Sequence, residues 1–187
     1  SVESIAATGN MSAPEVAYDM LLENNGKNFI YMPITNYSDF SLSASKTLLN
    51  EKMAIMGLGD GGAHVGFLSD ASAFTYMLTH WSRDRTRGEQ LPLEWAVKRL
   101  SRDNAEAIGL NDRGLLEVGK KADINVINFD ELGICPPEVL YDLPANGKRM
   151  VQRTKGYDAT IVAGEVVYRN GVETGALPGR LVRGAQA

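Results

Sequence analysis

The chain has little cysteine, histidine and positive charge. Its 187 residues include one cysteine, Cys135, and two histidines, and its net charge is −4. A single cysteine excludes a disulfide within the chain and is typical of a reducing compartment. No apolar run approaches the roughly 20 residues of a membrane span, and no signal peptide is recognisable. We therefore expect a cytoplasmic protein, and the acidic balance argues against nucleic-acid and anionic-membrane partners.

The remaining composition is that of an ordinary globular protein, with 44% hydrophobic and 22% charged residues. This length suits one domain or two small ones. The chain begins on Ser1 rather than Met, from which we expect a processed or truncated product.

The chain is organised around residues 53–66, MAIMGLGDGGAHVG. Residues 53–56 are apolar and predict a short buried strand. The glycine-dense stretch that follows can adopt positive φ angles and pass close to another group. Asp60 lies in the middle of this stretch, at the end of the predicted strand, where active sites of parallel α/β folds are built.

Three interpretations of this stretch compete. It can be a tight turn with a solvated Asp60. It can be a phosphate cradle, since Gly57, Gly59 and Gly62 match G-x-G-x-x-G after a strand. An acid inside the cradle would repel a pyrophosphate, and no second strand ending in an acid follows at the required distance. We favour the third interpretation, a catalytic or metal-binding carboxylate at the mouth of a barrel.

The first 110 residues alternate predicted helices with predicted strands. Ser12, Pro14 and Glu15 mark a helix start, and residues 24–26 end that helix. Apolar spacing predicts further helices over residues 41–50, 69–81 and 91–108. Short strands are predicted at residues 29–32 and 53–56. This order is typical of an α/β layer fold or barrel.

The helical period disappears after about Asn111. Residues 122–129 alternate polar and apolar side chains, which predicts a half-buried strand. Residues 157–162 and 166–168 flank an Ala-Gly turn and predict a hairpin. We expect an antiparallel β layer, interrupted by a proline-rich excursion over residues 135–144.

Two groups of polar residues beside the helix of residues 69–81 are given structural interpretations. His80 neighbours the apolar stripe of this helix and is expected to be a packing residue. Arg83, Arg85 and Arg87 alternate around Asp84 and are expected to form a solvated run.

Several stretches of the chain resemble the amidohydrolase superfamily. Residues 114–126, GLLEVGKKADINV, resemble the segment by which these enzymes enter their small β domain, and residues 103–110, DNAEAIGL, are similar to the preceding approach. Residues 142–153, DLPANGKRMVQR, and 174–180, TGALPGR, resemble the C-terminal part of the N-acyl-D-amino-acid deacylase (D-aminoacylase) branch. Residues 59–64, GDGGAH, are similar to the eighth-strand motif of that branch.

This resemblance implies an α/β plus β fold. Residues 1–110 would be the last strands and helices of a metal-dependent hydrolase (β/α) barrel, and residues 111–187 a small β-sandwich domain. In such enzymes a divalent metal, usually zinc, lowers the pKa of a bound water. Asp60 matches the aspartate that takes the proton from this water and passes it to the departing amine. Asp60 is also a candidate metal ligand, and His64 a candidate substrate-binding or packing residue.

The chain departs from the family pattern in its metal ligands. These enzymes begin their barrel with a His-x-His pair and add further histidines, whereas this sequence has only His64 and His80. A zinc site needs three or four converging ligands. We therefore expect a C-terminal fragment of an enzyme that hydrolyses N-acyl-D-amino acids, inactive alone and without its own metal.

Other classes stay open from the sequence. One is a non-catalytic scaffold that forms a homo-oligomer through uncovered strand edges and apolar surface. Another is a nucleotide-binding domain that uses the glycine-rich stretch. Within the hydrolases, a cyclic-amide hydrolase fragment is the nearest rival.

Overall fold

The structure is a computed structural model that describes residues 1–33, 35–57, 59, 65–66 and 70–184. Contacts divide the chain into two compact units, Ser1–Leu42 and Ser43–Ala187.

The first unit contains two helices, α1 (Val2–Gly9) and α2 (Ala13–Gly26). The start of α2 is a capping box: the Glu15 carboxylate accepts a 2.9 Å hydrogen bond from the Ser12 main-chain N–H, and the Ser12 hydroxyl accepts one from the Glu15 N–H. The Ser12 hydroxyl also donates a 2.7 Å hydrogen bond to the Glu15 carboxylate. The bond from the Ser12 main-chain N–H and this hydroxyl bond together lower the pKa of Glu15. Two of the main-chain donors that lack a partner at this helix end are thereby satisfied, which confirms the helix start expected at Ser12.

The second unit begins with helices and ends with strands. Its helices are α3 (Ser43–Asn50), α4 (Ala73–Thr79), α5 (Leu93–Leu100) and α6 (Arg102–Ala107). A single π-helical turn, His80–Asp84, continues α4. These elements confirm the helices predicted over residues 41–50, 69–81 and 91–108, although the last is divided at Ser101.

The strands form two antiparallel sheets, which confirms the predicted antiparallel layer. They are β1 (Ile124–Ile127), β2 (Gly133–Leu143), β3 (Gly147–Lys155), β4 (Tyr157–Val162), β5 (Glu165–Arg169) and β6 (Val172–Glu173). One sheet has the order β1-β4-β5-β6, and the other pairs β2 with β3. The predicted β-sandwich and barrel remnant stay predictions.

The β4–β5 hairpin has the turn that its sequence predicts. Ala163 and Gly164 both have positive φ angles, 51° and 86°, as a two-residue turn of the primed type requires. The hairpin expected at residues 157–168 is confirmed.

The proline-rich excursion predicted over residues 135–144 is wrong, because most of this segment belongs to β2. The register of β2 against β3 shifts between Ile134 and Pro137. A proline has no N–H to give to the ladder and is tolerated in a strand at such a bulge. Two adjacent prolines therefore interrupt the pairing locally without ending the strand.

The core of the second unit lies where α4 meets β2 and α5. Met77 and Leu132 are each 1% exposed, Trp81 is 4% exposed and Ala96 is fully buried. The apolar stripe predicted on the helix of residues 69–81 is thus a core-facing stripe.

The strands predicted at residues 29–32 and 53–56 are wrong, because both segments are irregular. Tyr31 is 88% exposed and Met53 is 96% exposed, which contradicts the expected burial. A buried strand needs neighbours for its main-chain groups. In residues 53–56 the carbonyls of Ala54 and Met56 accept hydrogen bonds from side chains of the α5–α6 region instead.

Within the part of the chain that the structure describes, no helix is both long enough and apolar enough to cross a membrane.

Candidate active-site region

The two residues predicted for the site, Asp60 and His64, lie outside the described residues. Their roles stay predictions, and so does the alternative phosphate cradle, which includes Gly61 and Gly62. The described residues that flank Asp60 in the sequence are Gly57 and Gly59 on one side and Val65 and Gly66 on the other.

Gly59 lies directly against the ring of Phe74 in α4. A Cβ atom on Gly59 would come within 2.7 Å of Cε2 of this ring. That separation is shorter than van der Waals contact, so a larger residue at position 59 would displace the Phe74 ring. The glycine next to Asp60 is therefore explained by a close approach to a helix, as expected for a glycine that lets its backbone pass near another group.

On the other side of Asp60, the chain is tied to the β2–β3 hairpin. The main-chain N–H of Met150, in β3, donates a 2.6 Å hydrogen bond to the carbonyl oxygen of Val65. The hairpin that carries the DLPANGKRMVQR motif thus contacts the chain five residues after Asp60.

The segment before Gly57 is held by two side chains that the sequence analysis did not single out. Arg99, in α5, donates a 2.5 Å hydrogen bond to the carbonyl of Ala54, and Asn104, in α6, a 2.6 Å bond to the carbonyl of Met56. Arg99 is only 9% exposed. It lies three residues after the buried Ala96, and this helical spacing puts both on one face. An arginine on an apolar helix face was the signal available in the sequence.

Helix α4 is joined to both sheets by hydrogen bonds between side chains. The Ser72 hydroxyl donates a 2.5 Å bond to Gln152 Oε1, and the Gln152 amide in turn donates to the Cys135 carbonyl at the β2 bulge. The hydroxyls of Thr75 and Tyr157 are 2.8 Å apart and share a hydrogen bond. Gln152, which belongs to the DLPANGKRMVQR stretch, thus links the start of α4 to the β2 bulge.

The expectation of a solvated arginine run is wrong for Arg83 and Arg85. Arg83 pairs with Asp84 and donates to the carbonyls of Phe129, Asp130 and Leu132, which fastens the π-helical turn to the loop before β2. Arg85 is 5% exposed and its guanidinium lies 4.3 Å from the Trp81 ring centre. Arg83 is half-buried through these bonds, and stacking on Trp81 with burial of the hydrocarbon stem explains why Arg85 is buried.

His80 is packed between aromatic rings, as its structural interpretation predicts. Its imidazole stacks on Tyr76 with ring centres 4.7 Å apart and meets Trp81 edge to face at 5.3 Å. Burial lowers the pKa of His80, the positive charge of Arg85 lowers it further, and Asp84 acts in the opposite direction. The neutral imidazole is therefore favoured at pH 7.

A cleft of about 960 Å³ runs between α4 and the two sheets. Its walls include Phe74, Cys135, Gln152, Lys155 and Tyr157. The wall is mixed in character, with polar side chains that already bond to one another.

The described residues do not fit a metal site. Across residues 1–33, 35–57, 59, 65–66 and 70–184, no group of three or more His, Cys, Asp or Glu side chains is placed to hold a metal ion. His80 packs against rings, and Cys135 belongs to the β2 bulge. No chemical step through a metal can be assigned to these residues.

Comparison with known proteins identifies the family. The sequence model described as the amidohydrolase family matches residues 15–168, and the chain belongs to this family. The match covers both helical and strand-rich parts, and it includes the stretch around Asp60. It supports the superfamily resemblance of the sequence but not the D-aminoacylase branch.

A curated relative is similar to part of the chain. A dihydroorotase from Lactobacillus acidophilus is 30% identical over 116 residues, which cover 62% of this chain and 27% of the relative. The chain thus spans about a quarter of the length of the relative that it matches. No solved structure matches the chain.

Proposed function

We propose that the chain is the C-terminal part of a metal-dependent amidohydrolase that cleaves the amide bond of N-acyl-D-amino acids. The observation that carries the proposal is the family match over residues 15–168, which spans the GDGGAH stretch together with the strand-rich part. The DLPANGKRMVQR and TGALPGR stretches support the D-aminoacylase branch by resemblance. Residues 1–110 would then belong to the barrel, and residues 111–187 to a β-sandwich domain.

In this proposal Asp60 transfers the proton in both halves of the reaction. Its carboxylate takes a proton from the attacking water and later gives it to the departing amine. A carboxylate suits both steps because it can reach the water and then the leaving nitrogen by hydrogen bonds. His64 is proposed to line the substrate side of the same region.

We further propose that the divalent metal is zinc and that its ligands come mainly from residues outside this chain. The two histidines of the sequence fall short of the ligand set that the family resemblance implies. The chain alone is accordingly expected to be inactive.

A second candidate is hydrolysis of a cyclic amide. The similarity to a dihydroorotase favours it, because dihydroorotate contains an amide within its ring. Both candidates need the same carboxylate chemistry at Asp60 and differ in the shape of the substrate.

A substrate panel assayed with the zinc-loaded full-length protein tests the proposal. It contains N-acetyl-D-amino acids, their L enantiomers, and dihydroorotate with other cyclic amides. We expect turnover of the D compounds, about 100-fold slower turnover of the L compounds, and none by the 187-residue chain alone. Turnover of cyclic amides only would establish the second candidate, and hydrolysis of neither class would overturn both.

We also propose that the protein forms a homo-oligomer. Large apolar side chains exposed in the second unit, among them Met53 at 96% and Leu177 at 93%, are the kind of surface that associates in water. Light scattering of the full-length protein tests this, and a monomer would contradict it.

A further inference from the structure

The segment Leu49–Met56, which we call the approach segment, leads directly to Gly57 and is held through its carbonyl oxygens. The two N–H groups on Nη2 of Arg99 are shared among three of them, the carbonyls of Leu49 at 3.1 Å, Glu51 at 3.4 Å and Ala54 at 2.5 Å. Asn104 donates through Nδ2 to a fourth, that of Met56, at 2.6 Å. One nitrogen of a single guanidinium therefore bonds both to the end of α3, at Leu49, and to the irregular main chain that follows it.

The Arg99 side chain is itself fixed in place. It is 9% exposed, its Nη1 atom lies 3.3 Å from the carboxylate of Asp103, and its guanidinium lies 5.6 Å from the Trp95 ring centre. A buried cation must exchange its water for other polar partners. Here the carbonyls of the approach segment supply those partners, so the arginine and the segment each depend on the other.

Arg99 and Asn104 each also have one buried polar atom without a hydrogen-bond partner among the described residues. Arg99 Nε and Asn104 Oδ1 are buried and make no hydrogen bond within the described part of the chain. A buried polar atom without a partner loses its hydration without compensation. The bonds that the same two side chains make to the carbonyls of the approach segment offset this loss.

The hydrogen bond from Asn104 reaches the carbonyl of Met56, one residue before the glycine-rich stretch. Gly57 and Gly59 restrict the main chain little, because glycine has no Cβ atom. The place where such a stretch starts must then be set by the residues that precede it. The carbonyl of Met56, held by Asn104, is the last fixed point before Gly57.

We propose that Arg99 and Asn104 are positioning residues for the reaction, because they hold the main chain at Ala54 and Met56, from which the glycine-rich stretch with the proposed acid begins. This inference rests on the proposed function of Asp60. Neither side chain takes part in the chemistry. Their contribution is the placement of the acid, where an error of about 1 Å can cost about 100-fold in rate.

The test uses Arg99→Lys and Asn104→Asp in the zinc-loaded full-length protein. Lysine keeps the charge but lacks the planar fork of arginine, and aspartate keeps the shape of asparagine but cannot donate when ionised. The matched control is Arg102→Lys, since Arg102 pairs with Glu106 across the exposed face of α6. We expect kcat to fall about 10- to 100-fold in the two test variants, with KM within about threefold of the wild type and the control unchanged.

Hydrogen exchange of the same variants supplies a readout that does not need activity. The main-chain amides of residues 51–57 should exchange at least about tenfold faster in Arg99→Lys and Asn104→Asp than in Arg102→Lys, with the rest of the second unit unchanged. Unchanged exchange at residues 51–57 would overturn the inference, and so would faster exchange with an unchanged kcat. If the wild type hydrolyses no amide at all, the proposed function fails, and the exchange result alone decides whether the two side chains hold the segment.

Discussion

At the scale of single residues, helix α4 depends on hydroxyl groups that reach the sheets. Thr75 is 4% exposed, and its hydroxyl lies 2.8 Å from that of Tyr157. A buried hydroxyl without a partner loses its hydration without compensation. This pair therefore couples a helix to a strand that lies about 80 residues further along the chain.

We predict that Thr75→Val and Tyr157→Phe each lower the free energy of unfolding by about 1–2 kcal/mol. Because each variant removes the same bond, the double variant should lose clearly less free energy of unfolding than the sum of the two single losses. Urea denaturation of the wild type, the two single variants and the double variant measures these losses. Thr79→Val is the matched control, since the Thr79 hydroxyl donates within the helix to the Thr75 carbonyl. The losses of stability caused by Thr79→Val and Tyr157→Phe should add in their double variant. If the losses caused by Thr75→Val and Tyr157→Phe also add, the two hydroxyls do not stabilise the fold through a shared bond.

His80 gives the molecule a defined pH dependence. Burial lowers the pKa of His80 in the folded state, whereas in the unfolded chain it should lie near 6.5. As the pH falls through about 6.5, the unfolded chain takes up a proton that the folded protein binds only at lower pH. The contribution of His80 to stability is therefore complete above pH 6.5 and declines towards pH 5.

We predict that His80→Phe, which keeps a ring to stack on Tyr76, removes this decline. The measurement is the free energy of unfolding of both proteins from pH 7.5 to pH 5. All other groups of the chain are common to both proteins and cancel in the difference. A difference between the two proteins that does not vary with pH would contradict the prediction.

At the scale of elements, the junction between β3 and β4 rests on one glycine. Gly156 has a φ of 87°, and a Cβ atom there would lie 2.6 Å from the Leu132 Cα and 2.7 Å from its main-chain nitrogen. Main-chain atoms cannot rotate away as a side chain can. The approach of Leu132, which is 1% exposed, therefore requires a residue without a Cβ atom.

We predict that Gly156→Ala lowers the free energy of unfolding by about 3 kcal/mol. This loss combines the cost of a left-handed main-chain conformation for alanine with the cost of the clash between its Cβ atom and the main chain of Leu132. Gly164→Ala is the control, because Gly164 has nearly the same φ, 86°, and open space around it. It should cost only about 1 kcal/mol. Equal effects of the two substitutions in thermal denaturation would show that the contact with Leu132 does not matter.

Elements whose signals are local were predictable from the sequence. The capping box at Ser12 and the Ala163-Gly164 turn depend on neighbouring residues, and both occur as expected. The β2 strand was missed because Pro136 and Pro137 signal a break, whereas a bulge accommodates them. Burial of Arg85 depends on Trp81 and on a distant loop, which no local pattern reveals.

The predicted strand at residues 53–56 fails for a related reason. Its apolar composition indicates a strand, but a strand exists only if a neighbour receives its hydrogen bonds. Arg99 and Asn104 take those carbonyls instead. The sequence predicted which residues form the candidate site, Asp60 and His64. The side chains that hold the main chain before this site, Arg99 and Asn104, were found only in the structure.

At the scale of the whole molecule, the chain matches the amidohydrolase family over most of its residues and covers only part of the length of a curated relative. The amidohydrolase match covers residues 15–168, and the aligned part corresponds to 27% of the dihydroorotase. In the second unit, apolar side chains such as Met53 and Leu177 stay exposed. We expect this surface to bind a hydrophobic dye such as ANS strongly in the 187-residue chain and weakly in the full-length protein, where further residues and the contact between protomers would together cover it. Equal dye binding by the two proteins would argue against such a cover.

Asp60 is proposed to be the proton-transferring acid of an amidohydrolase, and replacing this residue tests the proposed role most directly. The measurement is kcat of the zinc-loaded full-length protein on its best amide substrate, for the wild type, Asp60→Asn and the control Asp70→Asn, whose residue is exposed just beyond the same stretch. We predict that Asp60→Asn lowers kcat by about 100- to 10,000-fold, with bound zinc and thermal stability retained, and that Asp70→Asn leaves it unchanged. An Asp60→Asn protein with wild-type kcat would contradict the account.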